Sequence, residues 1–266
     1  MYDKKRYRLN KKKFVRSLLI IIIIVSIPTF IVKNLINKNS KKSSTTYLSH
    51  KDESVKKAGE EDKLSMIKKG NEEDLKNNKP LDIAITDYTS FFKDSVILGD
   101  SISESISYYS VLSENNVVAV KGLTVYKARK QIPNVISKSP KKLFILLGNN
   151  DLFEEKLTEN QFIKQYSILI DNLEKSLPNC KIYILSILPV TDKAEKENPF
   201  LNDKRILSFN DAIKSMTEKY SLNYINILPV IQGKENLYEP DGIHFKYDFY
   251  KYLLSYIETY IKENNI

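Results

Sequence analysis

Cysteine is almost absent from this 266-residue chain: Cys180 stands alone, which rules out an intrachain disulfide. Histidine is nearly as scarce, with only His50 and His244, and no Cys/His cluster offers metal-ligand spacing, so neither a metal nor another cofactor is expected. No internal repeat stands out. A basic face on the folded part is missing too. Residues 1–33 carry nine Lys/Arg against Asp3 alone, and residues 34–80 carry eleven Lys against eight acids; with an overall net charge of +9, residues 81–266 are left near −2. The basic balance of the chain therefore belongs to its first eighty residues, and no nucleic-acid partner is expected.

What is present begins with a positive cluster, Lys4, Lys5, Arg6, Arg8, Lys11, Lys12, Lys13 and Arg16, running straight into an uncharged stretch at 17–32 that contains five consecutive isoleucines. Sixteen helical residues span roughly 24 Å, short of the roughly 30 Å hydrocarbon core of a bilayer. Arg16 and Lys33 can snorkel, and Phe14, Val15, Leu35 and Ile36 extend the apolar reach, so 17–36 reads as a thin transmembrane signal anchor. A cleaved signal peptide is the competing reading; no A-x-A-like site follows the run, and with Cys180 so distant a lipoprotein is excluded. The expectation is a single-pass cell-membrane protein with residues 1–16 cytoplasmic and the remainder outside. Residues 37–80 hold too few large apolar groups to bury a core and read as a disordered, charged tether to a domain at 81–266.

From residue 81 the pattern alternates. Apolar runs at 95–98, 116–120, 142–147, 181–187 and 223–227 read as strands, and 124–137, 158–177 and 203–220 have helical spacing. Thr158 with Gln161 forms a capping box, Pro178 is a stop, and 245–262 reads as a terminal helix rich in tyrosine. Five strands with helical crossovers predict a three-layer α/β/α domain with a doubly wound parallel sheet, flavodoxin-like in its order 2-1-3-4-5. That order sets the carboxyl ends of the first and third strands side by side, where such sheets bind ligands. The segment 188–202 reads as a solvated connector, with a substrate-shaping lid as the alternative, and Cys180 as a buried small hydrophobe.

Gly99-Asp100-Ser101 follows the first strand, Gly122 the second, and Gly148-Asn149-Asn150-Asp151 the third, while Asp241-Gly242-Ile243-His244 precedes the last helix. A serine, an acid and an imidazole are what nucleophilic acyl transfer needs: the imidazole takes the proton of a hydroxyl too weak to attack unaided, and the carboxylate fixes the tautomer. A glycine N–H and an Asn amide at strand ends are suitable donors to an oxyanion.

These four blocks, in this order, resemble those of the SGNH hydrolases, also called the GDSL esterase/lipase superfamily; Ile102 stands where the family's older name has Leu. The resemblance covers 94–266. It implies Ser101 as nucleophile, His244 as general base, Asp241 as its orienter, and the Ser101 N–H, Gly122 N–H and Asn150 side chain as an oxyanion hole, with Asp100, Gly148 and Asp151 supporting them. The function expected is a membrane-anchored serine esterase acting on a small acyl ester, O-acetyl first, of a cell-wall or surface glycan. An O-acetyltransferase with the same triad, a lipase and a non-catalytic binding protein are the other readings. No oligomeric state is read from the sequence.

Overall fold

A computed structural model describes residues 81–266; the basic cluster, the apolar run and the tether segment lie outside the described residues. Among the described residues no helix is long and apolar enough to cross a membrane.

Five parallel strands, β1 (Ser95–Gly99), β2 (Val117–Ala119), β3 (Lys142–Leu146), β4 (Lys181–Leu185) and β5 (Asn223–Ile225), form one sheet in the order β2-β1-β3-β4-β5. The pairing is in register along the centre, with Ile97 opposite Phe144 and Phe144 opposite Tyr183. Side chains alternate across the sheet. Ile97, Phe144, Leu146, Tyr183 and Leu185 face one hydrophobic core, while Val96, Leu98, Leu143, Ile145, Ile182 and Ile184 face the other. Because both faces are covered, the strands are apolar throughout rather than alternating, as parallel sheets require.

The first face packs against α1 (Thr89–Phe92), α2 (Ser101–Tyr108) and a long C-terminal helix, Tyr247–Asn264. On the second face lie α3 (Val125–Ala128), α4 (Ile132–Ser137), α5 (Glu159–Ser176) and an 18-residue helix, Asp203–Tyr220. A sixth helix in chain order, α6 (Asp192–Glu197), follows β4, so the long helices on the two faces are α7 (Asp203–Tyr220) and α8 (Tyr247–Asn264). The Thr158–Gln161 capping box opens α5, with both reciprocal hydrogen bonds made.

Four expectations need correction. The helix expected over 124–137 is broken: a 3-10 turn at Arg129–Gln131 separates α3 from α4, and Pro133, lacking an N–H, sits in the first turn of α4 where no donor is missed. Two strands end early because side chains take over their backbone hydrogen bonds. Beyond β4 the Ile187 N–H donates to Asn210 Oδ1 (2.7 Å), and beyond β5 the Ile227 N–H donates to Ser186 Oγ (2.9 Å). The segment 188–202 is folded rather than an irregular connector. It folds as α6 and a 3-10 turn, buries Ala194 and Leu201, and packs against the loop that carries His244. Cys180 is half-buried rather than buried, and burial pushes its thiol up to about 11.

Candidate active site

The nucleophile candidate stands at a strand-to-helix turn. β1 is fully buried and ends at Gly99, Asp100 caps α2 by accepting the Ile102 N–H on Oδ1 (3.0 Å), and Ser101 becomes the first residue of the helix. The first N–H groups of a helix have no acceptor within it, so the Ser101 N–H is available to a ligand.

His244 comes from the far end of the chain, 143 residues away, and its Nε2 lies 3.0 Å from Ser101 Oγ. The other ring nitrogen, Nδ1, lies 2.6 Å from Asp241 Oδ2. A carboxylate only accepts, so the proton of the neutral ring is on Nδ1 and Nε2 is left free to take the proton of Ser101. Asp241 is itself held: its Oδ1 accepts the N–H groups of Ile243 and His244, both at 2.9 Å. Partial burial pushes its carboxyl upward, yet those two N–H groups and the imidazole outweigh burial and leave it below the ordinary value, ionised and fixed.

The turn bearing Asp241 and His244 is closed by two backbone bonds, Glu239 N–H to His244 O (2.8 Å) and Gly242 N–H to Glu239 O (2.9 Å). Gly242 has φ +70°, which disfavours a side chain, and a Cβ there would strike Thr191 Oγ1 and lie 3.1 Å from Ala194 Cβ. The residues that buttress this turn were not legible in sequence. Thr191 N–H donates to Gly242 O (3.0 Å), Lys193 Nζ donates to Pro240 O (3.1 Å), and Tyr109 at the end of α2 donates its hydroxyl to Glu239 (3.2 Å).

Asn150 follows β3, the neighbour of β1, and its Nδ2 donates to Asp100 Oδ2 (2.7 Å). Asp100 thus bridges the start of α2 and the Asn150 amide. Its carboxyl is deeply buried, which raises it to about 6 against the opposing pull of the Ile102 N–H and the Asn150 amide. The next residue, Asp151, turns the other way. Both of its oxygens accept the Val125 N–H (3.2 and 3.1 Å), tying the loop after β3 to the loop after β2 that holds Gly122. Burial raises Asp151 to about 7, and the Asp100 charge adds to the rise. Gly122 has φ +72°, a left-handed conformation in which the backbone turns away from β2 at the same edge of the sheet. Gly148, with φ +130°, accepts the Asp151 N–H (3.0 Å) and starts the turn that presents Asn150. Neighbouring Asn149 is buried and donates to Leu188 O (3.0 Å), away from Ser101.

The structure therefore brings Ser101, His244 and Asp241 into one hydrogen-bonded line, joins Asp100 to Asn150, and uses Asp151 to hold the Gly122 loop. Among the described residues no group of three His, Cys, Asp or Glu side chains is placed to hold a metal ion. A hydroxyl bonded to an imidazole that a carboxylate supports can lose its proton as it attacks an acyl carbon.

The family model of the GDSL-like lipase/acylhydrolase family matches residues 97–252, more than half of the chain. The chain belongs to that family. It is an acylhydrolase or esterase by family, and its fold is shared with solved structures of low identity. A GDSL-like lipase from Bacteroides thetaiotaomicron superposes with a TM-score of 0.54 at 20% identity, over 71% of this chain and 95% of that one. A lipase/acylhydrolase from Enterococcus faecalis gives 0.50 at 18% identity, over 64% and 96%. No curated protein matches the chain.

Proposed function

We propose that this GDSL-family acylhydrolase is a serine esterase that releases small acyl groups, acetyl foremost, from a glycan outside the cell, held there by its N-terminal apolar segment. The observation that carries the catalytic part is the 3.0 Å approach of Ser101 Oγ to His244 Nε2, with Nδ1 on Asp241. In this reading Ser101 Oγ attacks the acyl carbon while its proton passes to His244 Nε2, and the imidazolium is stabilised by Asp241. The oxyanion is met by the N–H groups of Ser101 and Gly122 and by the Asn150 amide. Collapse breaks the bond to the leaving alcohol, which takes the proton from His244. Water then enters, gives a proton to His244 and frees the acid from the acyl-serine as that proton returns to Ser101.

Two features support a small acyl group on a hydrophilic carrier. The groove at Ser101 and His244, of about 640 Å³, is walled by Ser105, Ser107, Glu104 and Lys121; a long acyl chain would need continuous apolar walls. The uncharged run at 17–32 behind its positive cluster supports an anchored, extracytoplasmic location, and tethering raises the enzyme's effective concentration at a fixed polymer. The test is to incubate the full-length protein with isolated cell wall and follow released acetate, beside p-nitrophenyl esters of two to twelve carbons. Acetate release and preference for the shortest ester are expected. A preference for eight carbons or more overturns the acetyl-glycan reading, and transfer of acetyl to an added oligosaccharide faster than to water replaces the hydrolase with a transferase.

A further inference from the structure

The groove that holds Ser101 and His244 does not stop where the acyl chemistry stops. A second hollow, of about 750 Å³, lies between α1 and the 110–116 loop and reaches Lys93 and Asn115. Ser107, Ser110 and Glu114 line both hollows, so the two are one trough that starts at Ser101, follows α2 for roughly 12 Å and continues to the end of α1. Hydrolysis of a free acetyl ester would use only its first few ångströms.

The chemistry of the trough is specific in three respects. Ser105 and Ser107 donate their hydroxyl protons to backbone carbonyls one turn back, at 3.1 and 3.0 Å. The Ser107 oxygen is thereby left as an acceptor for a hydroxyl donor on a ligand, whereas that of Ser105 is shared with Tyr250. Tyr108, next along the wall, is 80% exposed, the most exposed large apolar side chain among the described residues. Its ring meets that of Tyr109 at a steep angle with centroids 5.2 Å apart, and it lines the hollow while most of its surface stays accessible. Finally, the ionised groups along the wall come in opposite pairs, Glu104 and Glu114 with Lys121 and Lys93, so a polyanion gains no net attraction.

We propose that this trough binds the saccharide chain that carries the scissile ester: the ring nearest the ester stacks on Tyr108, and the following units pass over Ser110 towards Lys93. The substrate is then an O-acylated oligosaccharide or polysaccharide of low net charge engaged over several units. This rests on the esterase reading above, and the two fail differently.

The experiment measures acetate release by the full-length protein from O-acetylated chito-oligosaccharides of one to six units, with p-nitrophenyl acetate as the chain-independent reference. The expected result is that kcat/KM rises about tenfold or more from one unit to four through a falling KM, and that Tyr108→Ala flattens the rise whereas Tyr108→Phe keeps it. A flat length profile in an enzyme that hydrolyses p-nitrophenyl acetate through Ser101 overturns the trough and leaves the esterase standing. A rise that Tyr108→Ala does not alter also overturns it. Failure of p-nitrophenyl acetate hydrolysis, with no labelling of Ser101 by a serine-directed phosphonate, overturns the esterase reading and the trough with it.

Discussion

The Asn150 amide donates to Asp100 Oδ2 at 2.7 Å, so the residue immediately before Ser101 sets the direction of an amide that arrives from a different strand. Asp100→Asn should expose this. Asn is as good a helix cap as Asp, so α2 should survive, but an NH2 group now opposes the Asn150 NH2 group. We expect kcat to fall between about 10-fold and 100-fold, short of the loss of a whole oxyanion donor, with the fold retained by circular dichroism. An unaltered kcat would show that Asp100 does not position Asn150.

Removing the Ser101 hydroxyl should be harsher. Ser101→Ala should lose at least about 10⁴-fold in p-nitrophenyl acetate hydrolysis, and Asn150→Ala about 10²–10³-fold in kcat with KM little changed. Steady-state kinetics on the two variants, with circular dichroism to verify folding, checks both. Retention of most activity in Ser101→Ala would remove the catalytic assignment altogether.

Two aspartates flank the site with opposite duties, and their amides should separate them. Asp241→Asn loses the carboxylate that holds Nδ1–H of His244, and kcat should drop by as much as about 10⁴-fold. Asp151→Asn keeps one oxygen for the Val125 N–H, and kcat should change by less than about 10-fold. The reverse ranking would transfer the acid's role to Asp151.

Stability should depend on pH through the buried carboxyls. Asp151, raised to about 7, and Asp100, raised to about 6, hold a proton more tightly in the folded chain than in the unfolded one, where the ordinary value is 3.8. Between about pH 4 and 7 the folded state therefore binds more protons, so their contribution falls as pH rises and is constant above 7. Asp241 is shifted the other way, but half of its side chain is exposed, so its opposing contribution is small. Urea unfolding of wild type and Asp151→Asn across this window should give a difference in favour of the variant that grows with pH, on the order of a few kcal/mol. A difference independent of pH would contradict the burial account.

The turn at Gly242 has no room. Gly242→Ala puts a methyl group against Thr191 Oγ1 at a left-handed φ, and should cost about 1–3 kcal/mol. Because Asp241 and His244 sit on the same turn, kcat should fall along with the melting temperature. A variant that is destabilised yet fully active would show that the turn moves as a rigid piece.

Much of the fold was legible because it is dictated by local chemistry. The apolar runs that became β1 and β3 are buried on both faces, the helix expected over 203–220 has those bounds, and Thr158 caps where its spacing with Gln161 requires. Ser101, Asp241 and His244 stand where an apolar run stops or a helix begins, but local chemistry alone allows simple helix capping there; it was the order of the four blocks, resembling those of the SGNH hydrolases, that singled them out. What escaped is set by tertiary partners. α6 has the sequence DKAEKE, with no apolar stripe for periodicity to find; it forms because Thr191 caps it and Ala194 is buried. The ends of β4 and β5 were overread because Asn210 and Ser186, distant in sequence, capture their last N–H groups. The Tyr109–Glu239 hydrogen bond, which joins the end of α2 to the Asp241–His244 turn, spans 130 residues and leaves no local mark.

Asp241 and His244 are only three residues apart on one turn, whereas His244 and Ser101 are 143 apart. The Asp241–His244 contact therefore lies within one short loop, braced from outside by Thr191, Lys193 and Tyr109, while the approach of His244 to Ser101 is a distance between two parts of the molecule far apart in sequence. Activity becomes a ruler of tertiary integrity: as denaturant loosens α6 or the end of α2, turnover disappears at the Ser101–His244 gap while the sheet and the long helices still persist.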